Sequence, residues 1–198
     1  MKHSRNQVLF NFMGDPYCKA NDEYRITRKA LEIFLENRIP VAILTKGGTR
    51  LLQDIDIIKK FEDHIMVGAT ITTMDEELSK EWEPGAASPQ DRVEMLEKVK
   101  DQGIKTWASF EPVIDTRHAI DAIEKTLHCV DVYKVGKMNN FRTAEKNPDW
   151  QAFLDSVVAK LRKAEKPLYI KHDLRIAGQK TKLYGNEVLP DEFCAQPW

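Results

Sequence analysis

The sequence predicts an α/β fold built on a parallel sheet of βα units. Two observations predict it. Six short apolar runs alternate with five longer stretches of helical periodicity, each the length of a crossover helix. The runs are near-continuous in apolar residues rather than alternating apolar with polar, as strands covered on both faces require. Either an open doubly wound sheet or part of a βα barrel fits this pattern, and both put functional groups at the carboxyl ends of the strands.

The elements follow in order. VLFNFM (8–13) is the first strand, and NDEYRITRKALEIFLENR (21–38) the first helical stretch. VAILTK (41–46) is followed by RLLQDIDIIKKF (50–61), and IMVGATIT (65–72) by SPQDRVEMLEKVKDQG (88–103). In that last helix Ser88 is an N-cap with Pro89 at the first helical position, Asp91 places negative charge in the first turn, and Gly103 closes the end. TWASFEP (106–112) precedes TRHAIDAIEKTLH (116–128), and VDVYKVG (130–136) precedes PDWQAFLDSVVAKLRKAEK (148–166), where Asn147 before Pro148 repeats the start signal. LYIKHD (168–173) is the sixth strand. Periodicity fades after Gly178, which divides the chain into a βα body over 1–177 and an irregular tail over 178–198.

The bulk numbers bound the function. A hydrophobic share of 42% and a charged share of 31% suit one globular domain, and a formal net charge of -1 argues against holding nucleic acid by bulk charge. No segment has the length of a membrane-spanning helix. Three widely separated cysteines (Cys18, Cys129 and Cys194) and no secretory signal point to a reducing, cytoplasmic setting, with incidental thiols the default for all three. There is no G-x-S-x-G elbow, no phosphate-binding G-x-x-x-x-G-K-[ST] loop and no zinc spacing.

Polar groups gather at the strand ends: Asp15, Lys46, Thr70, Thr72, Thr73, Glu111, Lys134 and Lys137. Both charge signs with hydroxyls suit a zwitterionic ligand. Each residue also has a plainer role open to it. Asp15 and Asp75 could cap the helices that follow, and Lys46 could be a solvated strand-end lysine. Gly47 and Gly48 serve either a close backbone approach or a turn. His172 reads as packed or solvated. Glu111, set between an apolar run and Pro112, either meets a ligand or pairs with Lys134 on the next strand.

DPYCKANDEYRITRKALEIF, VAILTKGG, ITTMDEELSKEWEPGAASPQDRVEMLEKVKDQGI and SFEPVID together resemble consecutive units of spore-photoproduct-lyase-like radical S-adenosylmethionine proteins, and VDVYKVGKMN resembles a strand of one subgroup. The pattern TT-x-D-E-E-L…E-P-x-A-x-S-P-x-x-R is the most specific part, and the likeness covers roughly residues 8 to 140. The resemblance implies an incomplete (β/α) barrel of about six strands that binds S-adenosylmethionine at its carboxyl-terminal rim. There a [4Fe–4S] cluster cleaves the cofactor to a 5′-deoxyadenosyl radical. By position it implies cofactor contacts from Met13, Gly14 and Asp15 of MGDP, from Lys46 to the methionyl carboxylate, from Thr70 or Thr72 as the neighbouring hydroxyl, and from Glu111 with Lys134 beside it. Nucleic acid as a substrate is implied by the family alone.

The family holds its cluster with C-x₃-C-x₂-C after the first strand, three thiolates leaving one iron open for the cofactor. That motif is absent, and only seven residues precede VLFNFM, so the first βα unit is expected to be missing. Three readings follow: a C-terminal portion of a longer enzyme, a chain completed by a second chain or a homodimer partner, or a cluster-free ligand-binding module. The missing unit would leave the first strand as an open sheet edge. An acid–base enzyme using Glu111 and Lys134 is a further alternative.

Overall fold

A computed structural model of the chain describes residues 7–10, 14–138 and 145–188. Six parallel strands form one sheet: β1 (Val8–Phe10), β2 (Val41–Thr45), β3 (Ile65–Thr70), β4 (Lys105–Val113), β5 (Val132–Lys137) and β6 (Leu168–Ile170). Their order in the sheet is their order in the sequence. A doubly wound sheet reverses its strand order at a switch point, and this one never does, so it is the wall of a barrel. β1 and β6 do not pair, which leaves the barrel incomplete among the described residues.

The connections are helical: α1 (Lys19–Tyr24), α2 (Ile26–Glu36), α3 (Ile55–Ile58) between 3₁₀ segments Gly48–Asp54 and Lys59–His64, α4 (Glu76–Trp82), α5 (Pro89–Asp101), α6 (Thr116–Thr126), α7 (Trp150–Lys163), α8 (His172–Ala177) and α9 (Gly185–Val188). Ser88 Oγ accepts from the Asp91 N–H at the start of α5, and Gly103 follows that helix at φ 77, as the sequence predicts. Asp75 caps α4, accepting from Leu78 N–H, and Asp115 caps α6, accepting from the N–H groups of Arg117 and His118.

Four expectations change. The stretch 21–38 is two helices, because Arg25 takes φ 53 and the Asn21 carboxamide oxygen accepts from Thr27 N–H at the new start. The stretch 50–61 is mostly 3₁₀, with a single α turn inside it. The start signal at Asn147 moves to Asp149, whose carboxylate accepts from Ala152 N–H, while Asn147 itself is left-handed at φ 52. The sixth strand stops at Ile170, and α8 takes over from His172.

The two faces of the sheet differ. On one, Ile43, Val67, Phe110 and Val135 pack against helix residues such as Leu31, Leu96, Ile123 and Leu161. On the other, Ala42, Met66, Trp107 and Val132 form a second buried cluster drawn from strands only, with Leu44 and Tyr169 at its margin. Trp107 lies flat over Gly68, where a Cβ would come within 2.4 Å of the indole, and its Nε1–H donates to Ile43 O at 3.0 Å. Strand side chains alternate between faces, so this helix-free face continues upward through Lys46, Thr70 and Lys171 at or just past the carboxyl ends, through Glu111 two residues before the end of β4, and through Lys134, which the structure places in the middle of β5 rather than at its end. The fold therefore gives one face an apolar floor and an ionisable rim.

Candidate functional site at the strand ends

The β1 and β2 ends are tied together by Asp15. Its Oδ1 accepts from Tyr17 N–H at 2.8 Å and from Thr45 Oγ1–H at 2.6 Å, and its Oδ2 accepts from Lys46 N–H. Asp15 does not cap α1, whose N-cap is Cys18. Gly14 is exposed in the bend before it, and Met13 lies outside the described residues. The glycine pair is explained by packing: a Cβ on Gly47 would press on Tyr17 at 2.6 Å, and one on Gly48 (φ 59) would meet the Asp91 carboxylate at 1.9 Å.

Lys46 projects over a cleft of about 270 Å³ lined by Asp15, Lys46, Arg50, Glu83, Pro84, Gly85 and Ala86. Its volume is near the lower end of small-molecule sites, roughly 300–1,000 Å³. The Lys46 ammonium stands 2.8 Å from Glu83 Oε1. Glu83 Oε2 takes Arg92 at 2.6 Å. Arg92 is 1% exposed and also donates to Thr70 O, Ala87 O and Ser79 Oγ, so four of its five N–H groups are engaged. Burial opposes the charge on Glu83, but Arg92 and Lys46 outweigh it and hold the carboxyl below its ordinary value.

At the β3 end Thr70 and Thr72 are both buried, and Thr72 Oγ1 has no hydrogen-bond partner. Among the described residues nothing meets that hydroxyl, and an unmet buried hydroxyl is costly. Thr73 Oγ1 is engaged with His118 Nδ1 at 2.9 Å and accepts from Asp75 N–H.

Glu111 ends the apolar run of β4 with a cis bond to Pro112, at the point where the β4–β5 register shifts. Its Oε2 meets Lys134 at 3.2 Å, the pairing that the strand order allows, and its Oε1 meets Lys171 as well. The expected residues thus fall into three groups along one rim: Asp15 with Lys46, Thr70 with Thr72, and Glu111 with Lys134. Sequence reasoning missed Arg50, Glu83, Arg92 and Lys171. Glu83 and Arg92 are the two ends of the E-P-x-A-x-S-P-x-x-R pattern, so the signal was present as a motif without its meaning.

Among the described residues no group of three or more His, Cys, Asp or Glu is placed to hold a metal ion. Cys18 is exposed and Cys129 is buried, where burial pushes its thiol up to about 12. Cys194 lies outside the described residues. No described helix is long and apolar enough to cross a membrane.

The incomplete barrel wall is a fold that the chain shares with several solved structures. SuiB of Streptococcus suis, solved with S-adenosylmethionine, matches with a TM-score of 0.64 and 15% identity over 90% of this chain and 42% of that one. A spore photoproduct lyase variant matches with a TM-score of 0.55 and 11% identity over 73% of this chain and 54% of that one. In sequence, an uncharacterized protein of Methanocaldococcus jannaschii is 32% identical over 113 residues, 57% of this chain and 42% of the relative. A radical SAM Nalpha-GlyT isomerase of Pseudomonas phage M6 is 25% identical over 121 residues, 58% of this chain and 25% of the relative. The chain spans between a quarter and just over half of the length of these proteins. No family model matches the chain.

Proposed function

We propose that this chain is the S-adenosylmethionine-binding portion of a radical S-adenosylmethionine enzyme, with the cofactor at the carboxyl ends of β1 to β3. The observation that supports it best is Lys46, an ammonium held over the cleft by a carboxylate that Arg92 already neutralises. Lys46 can turn to a methionyl carboxylate without leaving Glu83 unpaired. Asp15 shapes the wall of the cleft, and Gly14 keeps the bend before it open to solvent. Thr72, with Thr70 beside it on β3, offers the unmet hydroxyl that a polar cofactor would satisfy. When bound, S-adenosylmethionine would supply a transferable 5′-deoxyadenosyl group, and these residues would orient it.

A [4Fe–4S] cluster does not fit the residues present. The sequence lacks C-x₃-C-x₂-C, and Cys129 is a buried, protonated thiol. Radical generation would therefore need thiolates that the described residues do not bring together. The same observation favours a second reading, a cluster-free module that keeps the ligand and not the chemistry. Under the first reading, anaerobic reconstitution with a partner carrying the motif restores stoichiometric iron; under the second, no partner does.

Calorimetric titration of S-adenosylmethionine tests the cofactor assignment. The wild type should bind saturably, and Lys46→Ala should bind about tenfold or more weakly, the loss of one charge-assisted contact. Equal affinity in the two proteins would remove the assignment.

A further inference from the structure

We infer that Lys134 and Lys171, bridged by Glu111, form a subsite for the oxyanion of a substrate, a carboxylate or a phosphate, apart from the cleft at Lys46. As a substrate site it rests on the cofactor reading above; as an anion site it stands alone. The three side chains come from β4, β5 and the residue after β6, all on the helix-free face.

The charge balance carries the argument. One carboxylate holds two ammoniums, so the group has an excess positive charge, while its side chains are only 20%, 24% and 39% exposed for Lys134, Glu111 and Lys171. A structural pair across β4 and β5 needs Lys134 alone. Lys171 is added at the N-cap of α8, the helix end where a cation is least favoured. Like charges held together and half withdrawn from water are stabilised by an incoming anion. Gly136 keeps the space over β5 open for them, since a Cβ there would press on Lys171 Cδ at 3.0 Å and on the Glu111 side chain at 3.3 Å.

Position gives the subsite its role. Lys134 pairs in register with Ser109, which pairs with Thr70, and with Tyr169 on the other side. One row of polar side chains thus crosses β3 to β6 on the same face. Two to three strand spacings, about 10–15 Å, separate Glu111 and Lys134 from β2 and its Lys46. A group bound at Lys134 and Lys171 lies within the same barrel mouth as the proposed cofactor but clear of its methionyl end.

The test titrates inorganic phosphate and, separately, acetate into the full chain at ionic strength fixed with chloride, reading the unfolding temperature and intrinsic fluorescence. The wild type should be protected beyond the chloride control, and Lys171→Met and Lys134→Met, each folded by circular dichroism, should bind at least tenfold more weakly. Protection by phosphate alone assigns a phosphorylated substrate, and by acetate alone a carboxylate. No protection beyond chloride, or equal protection in both variants, overturns the inference. S-adenosylmethionine titrated into Lys171→Met separates the two proposals. Kept affinity supports a substrate site, and a loss as large as that of Lys46→Ala gives the cluster to the cofactor and overturns it. Oxyanion protection in a wild type that does not bind S-adenosylmethionine leaves the anion site standing and removes the cofactor reading alone.

Discussion

Glu83 answers two cations with one buried carboxylate, and the two are not equivalent. Arg92 is sealed in and spends three more of its donors on main-chain carbonyls and Ser79, whereas the Lys46 side chain is 37% exposed. Breaking a buried pair costs about 3–5 kcal/mol and losing a half-exposed one under about 1 kcal/mol. Urea unfolding at neutral pH should therefore show the large loss in Glu83→Gln and the small one in Lys46→Ala. The pH dependence has a definite sign. Glu83 titrates below its ordinary value in the folded chain, so its stabilisation is full above an unfolded pKa of roughly 4.3 and is lost as pH falls through the folded value. Glu83→Gln should flatten that acid limb, and an unchanged limb would place the pH sensitivity elsewhere. The motif held both residues but not their pairing, because a loop and a helix start lie between Glu83 and Arg92, nine positions apart.

At the level of elements, strands were easier to read than helices. A run such as VAILT or IMVGAT needs no periodicity to be recognised, since apolar content on both faces is itself the signal. The stretch 21–38 has good helical periodicity throughout, yet Arg25 breaks it to reach the buried Asp54 carboxylate at 2.5 Å. A tertiary ion pair outranks local propensity there. The sixth strand seemed three residues longer because nothing local marks Lys171 as the N-cap of α8. Trp107 across Gly68 is another contact between elements that spacing does not reveal. Gly68→Ala would drive a methyl group into a rigid ring, and overpacking of this kind costs about 1–3 kcal/mol. The variant should unfold at correspondingly lower urea with a shifted tryptophan emission; wild-type stability would mean the indole can slide aside.

For the molecule as a whole, the alternation of apolar runs and helices gave the parallel sheet, and the family resemblance chose the barrel over the doubly wound form. The strand order then settled that choice on physical grounds, because it runs one way from β1 to β6. The rim was legible as a set of strand ends but not as three separate groups, since one-dimensional spacing does not say which polar ends share a neighbour. Asp15 has a consequence at this scale. It joins the segment after the first strand to the end of β2 and forms part of the wall of the cleft, so that wall depends on how this segment is docked. A ligand that fills the cleft and needs that wall then stabilises the docking, by an amount that grows with its free concentration relative to its Kd. Amide hydrogen exchange should report this as slower opening of β1 and of the Asp15–Lys46 contact when S-adenosylmethionine is present, with the distant α7 amides unchanged. The weakest margin of the sheet would thereby become the part of the protein that registers occupancy.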